Sequence, residues 1–461
     1  MKKLIGWIVI ITLGNVLWLS LDKNPPAWDQ AAHLRSILMV QNFDGNFVNL
    51  IKSFYGYPPL IYFLGGLMGS SMIYLNTLFL ILGLIGVYKL ADKKILPVVL
   101  FSLFPVIYDI SRNMLLDLAL TVWVVWGLYF WTKKNDKGLL IMLILASLIK
   151  LNGFIYFLPL IATYWKQPKK IIVYGLIYLV AVGWWWGINW QNIYQYLTGL
   201  AGQGEKMTDP MNLLEWQTWI HYFRLFFLHQ LGPITALIFL IVSRKGEKKL
   251  WWWLVIVYVM FTIIKNKDFR FTMPLLPLVA VWMGWGLAEI KRKWIIGLVL
   301  GWMVFNYIEN SFNWPIKKPM VVTMPTFLIG DVNWINFSDY PVREFRKSIW
   351  PNEKILGDLP NEDSKLLVVM NTAEINDNTL SFYKLKTGKK NLEIHGIDKW
   401  GLLDFDYILI PDTKTESAPF YDVMLTPRKQ AIKNIWENIE NYQIIGEYQL
   451  PNGGKVVLLK N

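Results

Sequence analysis

Long hydrophobic runs alternate with short polar stretches over the first two thirds of the chain. From Leu4 to about Ile308, apolar runs of about 12 to 20 residues recur between stretches that carry most of the charge. Runs of this length are typical of helices that cross a lipid bilayer, so the pattern predicts a mainly α-helical, polytopic membrane protein. Lysine and arginine collect between alternate runs, as is typical of cytoplasmic loops, and so assign a direction to each crossing.

The charged loops predict about eleven transmembrane helices, with the N-terminus in the cytoplasm and the C-terminus outside the cell. The first helix resembles a signal peptide, but no small-residue cleavage site precedes Asp22, so we expect it to be retained. Residues 22–69 then form a long first outer loop. Because basic stretches flank residues 138–165 on both sides, this region is predicted as two short helices hinged outside at residues 150–153.

These crossings leave a second long outer loop at residues 191–219. The predicted crossings are residues 4–21, 72–88, 95–110, 115–131, 138–149, 153–165, 171–190, 221–242, 250–264, 271–288 and 294–308.

The composition changes after about residue 309, where charge rises and short β-like runs replace the long apolar ones. These runs alternate with a helical pattern at residues 427–440, as is typical of an α/β fold. We therefore predict a transmembrane domain over residues 1–310 and a small extracytoplasmic α/β domain over residues 311–461. The runs that predict strands are residues 366–370, 407–410 and 455–459.

Composition narrows the functional classes. Hydrophobic residues make up 54% of the chain and aromatic residues 16%, which is typical of a protein embedded in lipid. The chain has no cysteine, so disulfides, thiolate metal sites and a cysteine nucleophile are excluded. The net charge of +13 lies largely in the short loops, where it orients the protein, so membrane lipids and not nucleic acid are the expected surroundings.

One polar stretch of the first outer loop, NPPAWDQAAHL at residues 24–34, has the residue types of a reaction centre. Its two prolines suit a turn followed by the first turn of a helix. On that helix Asp29 and His33 are four residues apart and share a face, where they would hold a divalent cation or act as base and partner. The structural alternative is that Asp29 caps the helix and His33 packs in an interface.

Charged side chains collect at the predicted outer ends of the helices, whereas the central parts of the helices are nearly free of them. A transporter would be expected to carry polar groups near the membrane midplane. A collection on one face instead favours an enzyme that works at the membrane surface. The collected residues are Asp29, His33, Asp109, Arg112, Asp117, Lys150, Arg224, Asp268 and Arg270.

Several of these side chains have two interpretations. Arg112 and Asp117 would pair at a helix end, or Asp117 would be a second catalytic carboxylate while Arg112 binds a phosphate. Lys150 would extend to the membrane surface, or meet the same phosphate from the hinge. Asp268 and Arg270 would cap a turn and pair with each other, or Arg270 would clamp an anionic head group.

In these residues the chain resembles the lipid-linked-sugar glycosyltransferases of the GT-C superfamily. The nearest groups, described as glycosyltransferase family 39-like, include the bacterial aminoarabinose transferases of lipid A and the protein O-mannosyltransferases. The matching features are PPAWDQAAHL in the first outer loop, YPPL before the second span, R-x-x-x-x-D from Arg112 to Asp117, and the late outer stretch KDFRFTMPLLP. The layout covers the whole chain, and the motifs cover roughly forty residues.

The resemblance implies a sugar donor carried on polyprenyl phosphate, with Asp29 as the base or metal-site partner at the acceptor. Many members have Asp-Glu where this chain has Asp29-Gln30, so His33 is the candidate second ligand, and His221 or His229 a further one. A divalent cation (Mg, Mn or Zn) is therefore a candidate cofactor, and whether the reaction requires it is open. The candidate donor-phosphate ligands are Arg112, Lys150 and Arg270.

The expected reaction is a single inverting displacement at the outer face of the plasma or inner membrane. An acceptor hydroxyl deprotonated by Asp29 attacks the anomeric carbon, and polyprenyl phosphate leaves. The acceptor is a lipid, as in glycolipid synthesis, or a protein, as in protein glycosylation; neither it nor the sugar is specified. Two alternatives remain: a transporter or flippase of lipid-linked glycans, and a non-catalytic assembly protein of the cell envelope that would function without Asp29.

Overall fold

The structure, a computed structural model, divides the chain into two compact units. The first unit comprises Met1–Ser20 and Gly45–Glu344, and the second comprises Leu21–Asp44 and Phe345–Asn461. The structure describes all residues except 44, 55, 207–211, 244–246, 317–319, 327–329, 338–346, 361, 390, 398–404 and 413–425.

Helices build most of the first unit. Short 3-10 helices at Gly69–Tyr74, Leu151–Phe157 and Phe269–Leu275 and a π-helical turn at Phe226–Gln230 connect some of them. The described α-helices up to residue 312 include one, α2, that belongs to the second unit. In chain order these are α1 Lys2–Leu21, α2 Trp28–Gln41, α3 Phe47–Lys52, α4 Leu60–Leu67, α5 Leu75–Leu90, α6 Leu96–Ser102, α7 Pro105–Ile110, α8 Leu116–Thr132, α9 Asp136–Ser147, α10 Leu158–Ala162, α11 Pro168–Lys206, α12 Trp216–Leu225, α13 Pro233–Val242, α14 Lys248–Ile263, α15 Leu276–Glu289 and α16 Lys293–Phe312.

Within the described part of the chain, five helical segments are long and apolar enough to cross a membrane, and a bent pair of helices adds a sixth if it is one span. The chain therefore has the features of a multi-pass membrane protein. The other apolar regions divide into shorter helices, so a total of about eleven crossings stays a prediction. The five segments are Lys2–Leu21, Gly69–Leu90, Pro168–Gln195, Phe269–Glu289 and Lys293–Phe312.

Three predicted segments differ from the structure. The predicted single helix at residues 95–110 is divided into α6 and α7, and the break precedes Pro105, which lacks the N–H that a continuous helix needs. The predicted outer loop at residues 191–219 begins as helix, because α11 continues to Lys206. The predicted single helix at residues 221–242 is broken, and its two parts make an angle of 116°. The break falls at Gly232, whose φ of +76° is in the left-handed region that favours glycine, and at Pro233, which lacks the N–H that a continuous helix needs.

Lysine-bearing loops meet at one end of the helices in the first unit. Lys133, at the C-terminal end of α8, lies 3.5 Å from Asp92 in the loop after α5. Lys94, from that same loop, lies 5.9 Å from the centre of the Trp285 ring near the end of α15. A helix rises 1.5 Å per residue, so the opposite ends of α8 and α15 are about 20–25 Å away. The position of these lysine-bearing loops at one end agrees with the prediction, made from the sequence, that basic loops lie on one side of the membrane.

A five-stranded mixed sheet forms the centre of the second unit. Its order is β4-β3-β5-β7-β6, in which β3 pairs in parallel with β4 and β5, and β7 pairs antiparallel with β5 and β6. The described strands and remaining helices of the chain are β1 Met320–Thr326, β2 Gly330–Phe337, α17 Asn352–Gly357, β3 Ser364–Val368, α18 Asp377–Lys386, β4 Leu392–Gly396, β5 Tyr407–Pro411, α19 Thr426–Glu437, β6 Gln443–Gln449 and β7 Lys455–Lys460.

The two faces of this sheet bury alternate residues. Leu366 and Val368 belong to a core cluster that includes residues of α17 and α18. Leu367 and Val369 belong to a second cluster with Ile435 of α19. Because successive side chains of a strand point to opposite faces, a continuous apolar run indicates a strand that is buried on both sides. Helices on both faces confirm the small α/β architecture predicted for this part of the chain.

The hairpin formed by β1 and β2 belongs to the first unit, so the structure divides the chain differently from the predicted boundary at residue 311. The ring of Trp334 on β2 meets that of Phe227 edge to face, with centroids 6.5 Å apart. This contact and the packing of β2 on α13 explain why the hairpin stays with the helices.

The stretch around α2, predicted as part of the first outer loop, belongs to the second unit. Trp28 Nε1 donates a hydrogen bond to Asn371 Oδ1 at 3.1 Å. The buried Thr379 Oγ1 donates to the carbonyl oxygen of Pro26 at 3.0 Å. These bonds join the start of α2 to the segment that follows β3 and to α18.

We predict that Thr379→Val releases this stretch from the second unit. The substitution keeps the side-chain shape but leaves the Pro26 carbonyl without its buried donor, at a cost of about 1–3 kcal/mol. Hydrogen exchange of residues 24–41 should accelerate in this variant. Thr387→Val is the matched control, because Thr387 Oγ1 makes an exposed bond within the same helix region. Equal acceleration in both variants would contradict the anchoring role of Thr379.

Candidate active site

A buried ion pair joins two helices at the end of the first unit opposite the lysine-bearing loops. Asp117 lies in the first turn of α8, where a carboxylate is favoured by the helix dipole. Lys150 lies in the turn after α9, and its Nζ is 2.7 Å from Asp117 Oδ1. The side chains are only 3% and 12% exposed. In a low-dielectric surrounding each charge depends on the other for its stabilisation.

The backbone around residue 150 explains why Lys150 reaches this position. Lys150 has extended φ and ψ angles of −146° and 138°, and the 3-10 helix begins at the next residue. A Cβ on Gly153 would lie 2.3 Å from the carbonyl oxygen of Ala146, so this close approach of the chain to α9 requires glycine. The hinge predicted at residues 150–153 is thus found in the structure.

A second ion pair lies beside the first. Asp268 Oδ1 accepts hydrogen bonds from the Arg270 backbone N–H at 2.8 Å and from Arg270 Nε at 3.0 Å. Burial raises the pKa of Asp268, but the Arg270 guanidinium and the Lys150 ammonium outweigh it and hold the pKa below its usual range. The carboxylate is therefore ionised at neutral pH. Its stabilising contribution is lost only as the pH falls through this lowered pKa.

Aromatic and amide contacts bring the two pairs together. Lys150 Nζ lies 4.7 Å from the centre of the Phe271 ring, one residue after Arg270. The Tyr156 hydroxyl donates a hydrogen bond to the Phe271 carbonyl, and Gln230 Nε2 donates to Thr272 Oγ1 at 2.8 Å. We name Asp117, Lys150, Asp268 and Arg270 the ion cluster.

Further basic side chains lie close to the segment that carries Arg270. Lys267 is 5% exposed, and its Nζ donates to the carbonyl oxygens of Thr262 and Ile264, each at 2.7 Å. Its charge and that of Arg224 act on the ring of His221. Lys267 directly precedes Asp268 but was not predicted as a site residue, because its sequence neighbours give no sign of its burial. The region therefore combines two carboxylates with a larger number of cationic groups, as suits an anionic ligand.

Arg112 contacts a different set of residues. Its Nε donates to Asn15 Oδ1 at 3.0 Å, its Nη1 donates to Ser311 Oγ at 2.7 Å, and the side chain is 2% exposed. Arg112 and Asp117 do not pair with each other among the described contacts. Arg112 thus joins α1 to α16, and its role as a phosphate ligand stays a prediction. The rings that surround its guanidinium carbon at 5.0–5.4 Å are Trp18, Tyr108 and Tyr307.

Asn76 holds the turn that precedes Asp117. Its Nδ2 donates to the carbonyl oxygens of Ile110 at 3.2 Å and Leu115 at 2.8 Å, and also to that of Asn113. The residue is 1% exposed. One buried amide, with two N–H donors, thereby supports the backbone carbonyl groups between α7 and the start of α8. The mostly apolar residues that flank Asn76 in the sequence do not indicate this role.

Asp29 and His33 lie on α2 in the second unit. Asp29 is exposed in the first turn, and His33 is 4% exposed. The N-cap residue is Ala27, so the predicted alternative of an Asp29 cap is wrong; Gln30 Oε1 instead accepts from the Ala27 N–H at 3.4 Å. Among the described residues, no three His, Asp or Glu side chains converge as a metal site. Metal binding by Asp29, His33 and His221 stays a prediction.

Comparisons with known proteins identify the class of fold. No family model matches the chain, and no curated protein sequence matches it. The fold is GT-C-like. Two crystal structures of ArnT from Cupriavidus metallidurans, one bound to undecaprenyl phosphate and one in the apo state, each match with a TM-score of 0.56. Each match has 13% sequence identity and covers 98% of both chains.

We predict that Asp117→Asn lowers the stability of the protein by about 3–5 kcal/mol, because it leaves the Lys150 ammonium buried without a carboxylate. The double variant Asp117→Asn with Lys150→Met should be more stable than Asp117→Asn alone, since it removes both charges. Thermal unfolding in detergent measures both effects.

The control for this prediction is Asp92→Asn at the other end of α8. The side chains of Asp92 and Lys133 are 67% and 54% exposed, so the loss of this pair should cost less than about 1 kcal/mol. Equal losses in Asp117→Asn and Asp92→Asn would show that the Asp117–Lys150 pair does not stabilise the helix end.

Proposed function

We propose that the protein is an integral-membrane glycosyltransferase that moves a sugar from a polyprenyl-phosphate donor to an acceptor hydroxyl. The observation that carries the proposal is the ion cluster at the end of the helices in a GT-C-like fold. A similar solved structure, that of ArnT, is bound to undecaprenyl phosphate. We propose the same class of lipid phosphate for this chain on the basis of the charges that its own residues present.

Lys150 and Arg270 are the proposed ligands of the donor phosphate. Among the described contacts, the Lys150 ammonium uses one of its three N–H donors on Asp117. Arg270 offers the planar guanidinium that suits phosphate oxygens. Negative charge grows on the phosphate as the glycosidic bond breaks. Cations fixed in position at a low-dielectric boundary stabilise that charge in the transition state, typically by several kcal/mol.

The two carboxylates of the ion cluster hold these cations in place. Asp117 fixes Lys150, and Asp268 fixes Arg270 through its backbone N–H and its guanidinium. Without such partners, the ammonium of Lys150 and the guanidinium of Arg270 would be held less firmly in position, and their partly buried charges would be uncompensated. We therefore propose that Asp117 acts by positioning Lys150, in addition to the direct catalytic role that the sequence predicts for it.

Asp29 remains the proposed base, with an inverting displacement as the proposed stereochemistry. The resemblance of the first outer loop carries this part of the proposal, and the exposure of Asp29 leaves its carboxylate accessible to an acceptor. A divalent cation near Asp29 and His33 is proposed on the same basis. The acceptor class, lipid or protein, is not specified by any feature of the described residues.

An outer location of the reaction is also part of the proposal. The lysine-bearing loops lie at the end of the first unit opposite the ion cluster, and such loops are typical of the cytoplasmic side. This arrangement supports an extracytoplasmic ion cluster in a cell membrane, and a cytoplasmic N-terminus and about eleven crossings remain part of the proposal. It also suits a donor that is carried on a lipid, since nucleotide sugars are scarce outside the cell.

The test is transfer of radiolabelled sugar from polyprenyl-phosphate donors to a membrane extract by the purified protein. We expect Lys150→Gln to lower kcat by about 10²-fold or more, because one fixed cation no longer stabilises the leaving phosphate. Lys265→Gln is the matched control: Lys265 is exposed in the same turn as Lys267 and lies outside the ion cluster. Equal rates for both variants would contradict the phosphate role of Lys150.

The base is tested separately with Asp29→Asn, with and without EDTA. Loss of transfer in this variant would support Asp29 as the base, and sensitivity of the wild type to EDTA would support the cation. Full activity in Asp29→Asn would exclude Asp29 as the base. Absence of transfer from every donor by the wild type would contradict the proposed function as a whole.

A further inference from the structure

A basic cavity of about 600 Å³ lies at the end of the first unit opposite the ion cluster. It opens between the ends of α5, α8, α10, α14 and α15. Lysines at the end of α5, directly after α8 and at the start of α14 line it, namely Lys89, Lys133, Lys134 and Lys249. Asp92 and Glu247 are the acidic residues of its lining, so cations outnumber anions two to one. The net positive charge favours an anionic ligand.

Tryptophan side chains border the lysines in this cavity. Trp131, Trp252 and Trp285 contribute to its lining, and Trp252 is 66% exposed. Indole rings are enriched where the lipid head groups meet the hydrocarbon, because one part of the ring is apolar and its N–H is polar. This combination of lysine and tryptophan is typical of the head-group region of a membrane.

An apolar groove of about 210 Å³ adjoins the basic cavity. Tyr164 lines both. The groove follows one face of α11, along Ile171, Tyr174 and Tyr178, whose spacing of three and four residues repeats along a helix face. Leu143 of α9 is on the other side. Most of the apolar part of α11 at Pro168–Gln195 is exposed, as is typical of a helix face that contacts lipid.

A polar contact marks the boundary between the basic cavity and the apolar groove. The Tyr164 hydroxyl donates a hydrogen bond to Asp136 Oδ1 at 2.5 Å, and the Lys170 ammonium pairs with the same carboxylate. The arrangement thus offers a charged compartment and, next to it, a groove with a mostly apolar lining.

We propose that the basic cavity and the apolar groove form a binding site for one anionic phospholipid. The phosphate and head group would occupy the basic cavity, and one acyl chain would follow the apolar groove along α11. Basic pockets between helices are suited to anionic head groups, and the hydrocarbon channel favours a phospholipid over a water-soluble phosphate. The site is distinct from the ion cluster, since α8 separates the two by about 24 Å. It does not depend on the proposed transfer reaction.

The head-group part is tested with the full chain in nanodiscs of equal amounts of phosphatidylglycerol and phosphatidylcholine. Native mass spectrometry counts the lipids that stay bound after the protein is released from the nanodisc. We expect the wild type to retain phosphatidylglycerol preferentially and Lys89→Gln with Lys249→Gln to lower that preference about tenfold. The matched control, Lys137→Gln with Lys291→Gln, removes the same charge outside the basic cavity and should retain the preference. No preference in the wild type, or equal loss in both variants, would overturn the proposal.

The acyl-chain part is tested with Gly175→Leu, which places a side chain in the apolar groove. A Cβ at Gly175 meets no atom within 4 Å, so the protein should fold normally. Gly183→Leu is the control, because Gly183 lies on the same helix in equally open space but does not line the groove. We expect Gly175→Leu to lose the retained phospholipid and Gly183→Leu to keep it. Equal retention by the two variants would overturn the assignment of the groove.

Discussion

The buried ion pair between Asp117 and Lys150 is the interaction on which the proposed chemistry depends. Two charges at 2.7 Å with almost no access to water stabilise each other strongly, and neither is easily placed without its partner. The pair joins the first turn of α8 to the hinge after α9 and places an ammonium group above the Phe271 ring. A donor phosphate at this position would meet a cation whose location is already fixed, so little reorganisation would be needed during transfer.

The charged groups at the two ends of the helices in the first unit differ in their burial and in their pairing. One end has lysines on exposed loops. Their ion pairs, such as that of Lys133 with Asp92, are accessible to water and therefore stabilise the protein little. The other end has carboxylates and cations that are largely buried and tightly paired. Exposed lysines attract lipid phosphates by long-range charge, whereas buried pairs position individual groups for chemistry.

Local sequence signals predicted more of this structure than long-range contacts did. Apolar periodicity and charged loops located most helices and the hinge at Lys150, and three of the five strands in the α/β sheet follow from their apolar runs. The pairing of Asp268 with Arg270 follows from their spacing of two residues in a turn. Arg112 and Asp117 did not pair, because the turn held by Asn76 separates them and α8 begins only at Leu116. The packing of α2 on α18 joins residues more than 340 positions apart, which no local pattern encodes.

The most direct test of the account is the position of the phosphate in a cryo-electron microscopy structure of the full chain with undecaprenyl phosphate added. The account predicts that the phosphate oxygens lie within hydrogen-bond distance of the Lys150 ammonium and the Arg270 guanidinium, with Asp117 and Asp268 still paired to these cations. A phosphate bound at Arg112 or in the basic cavity, with the ion cluster left without it, would contradict the account.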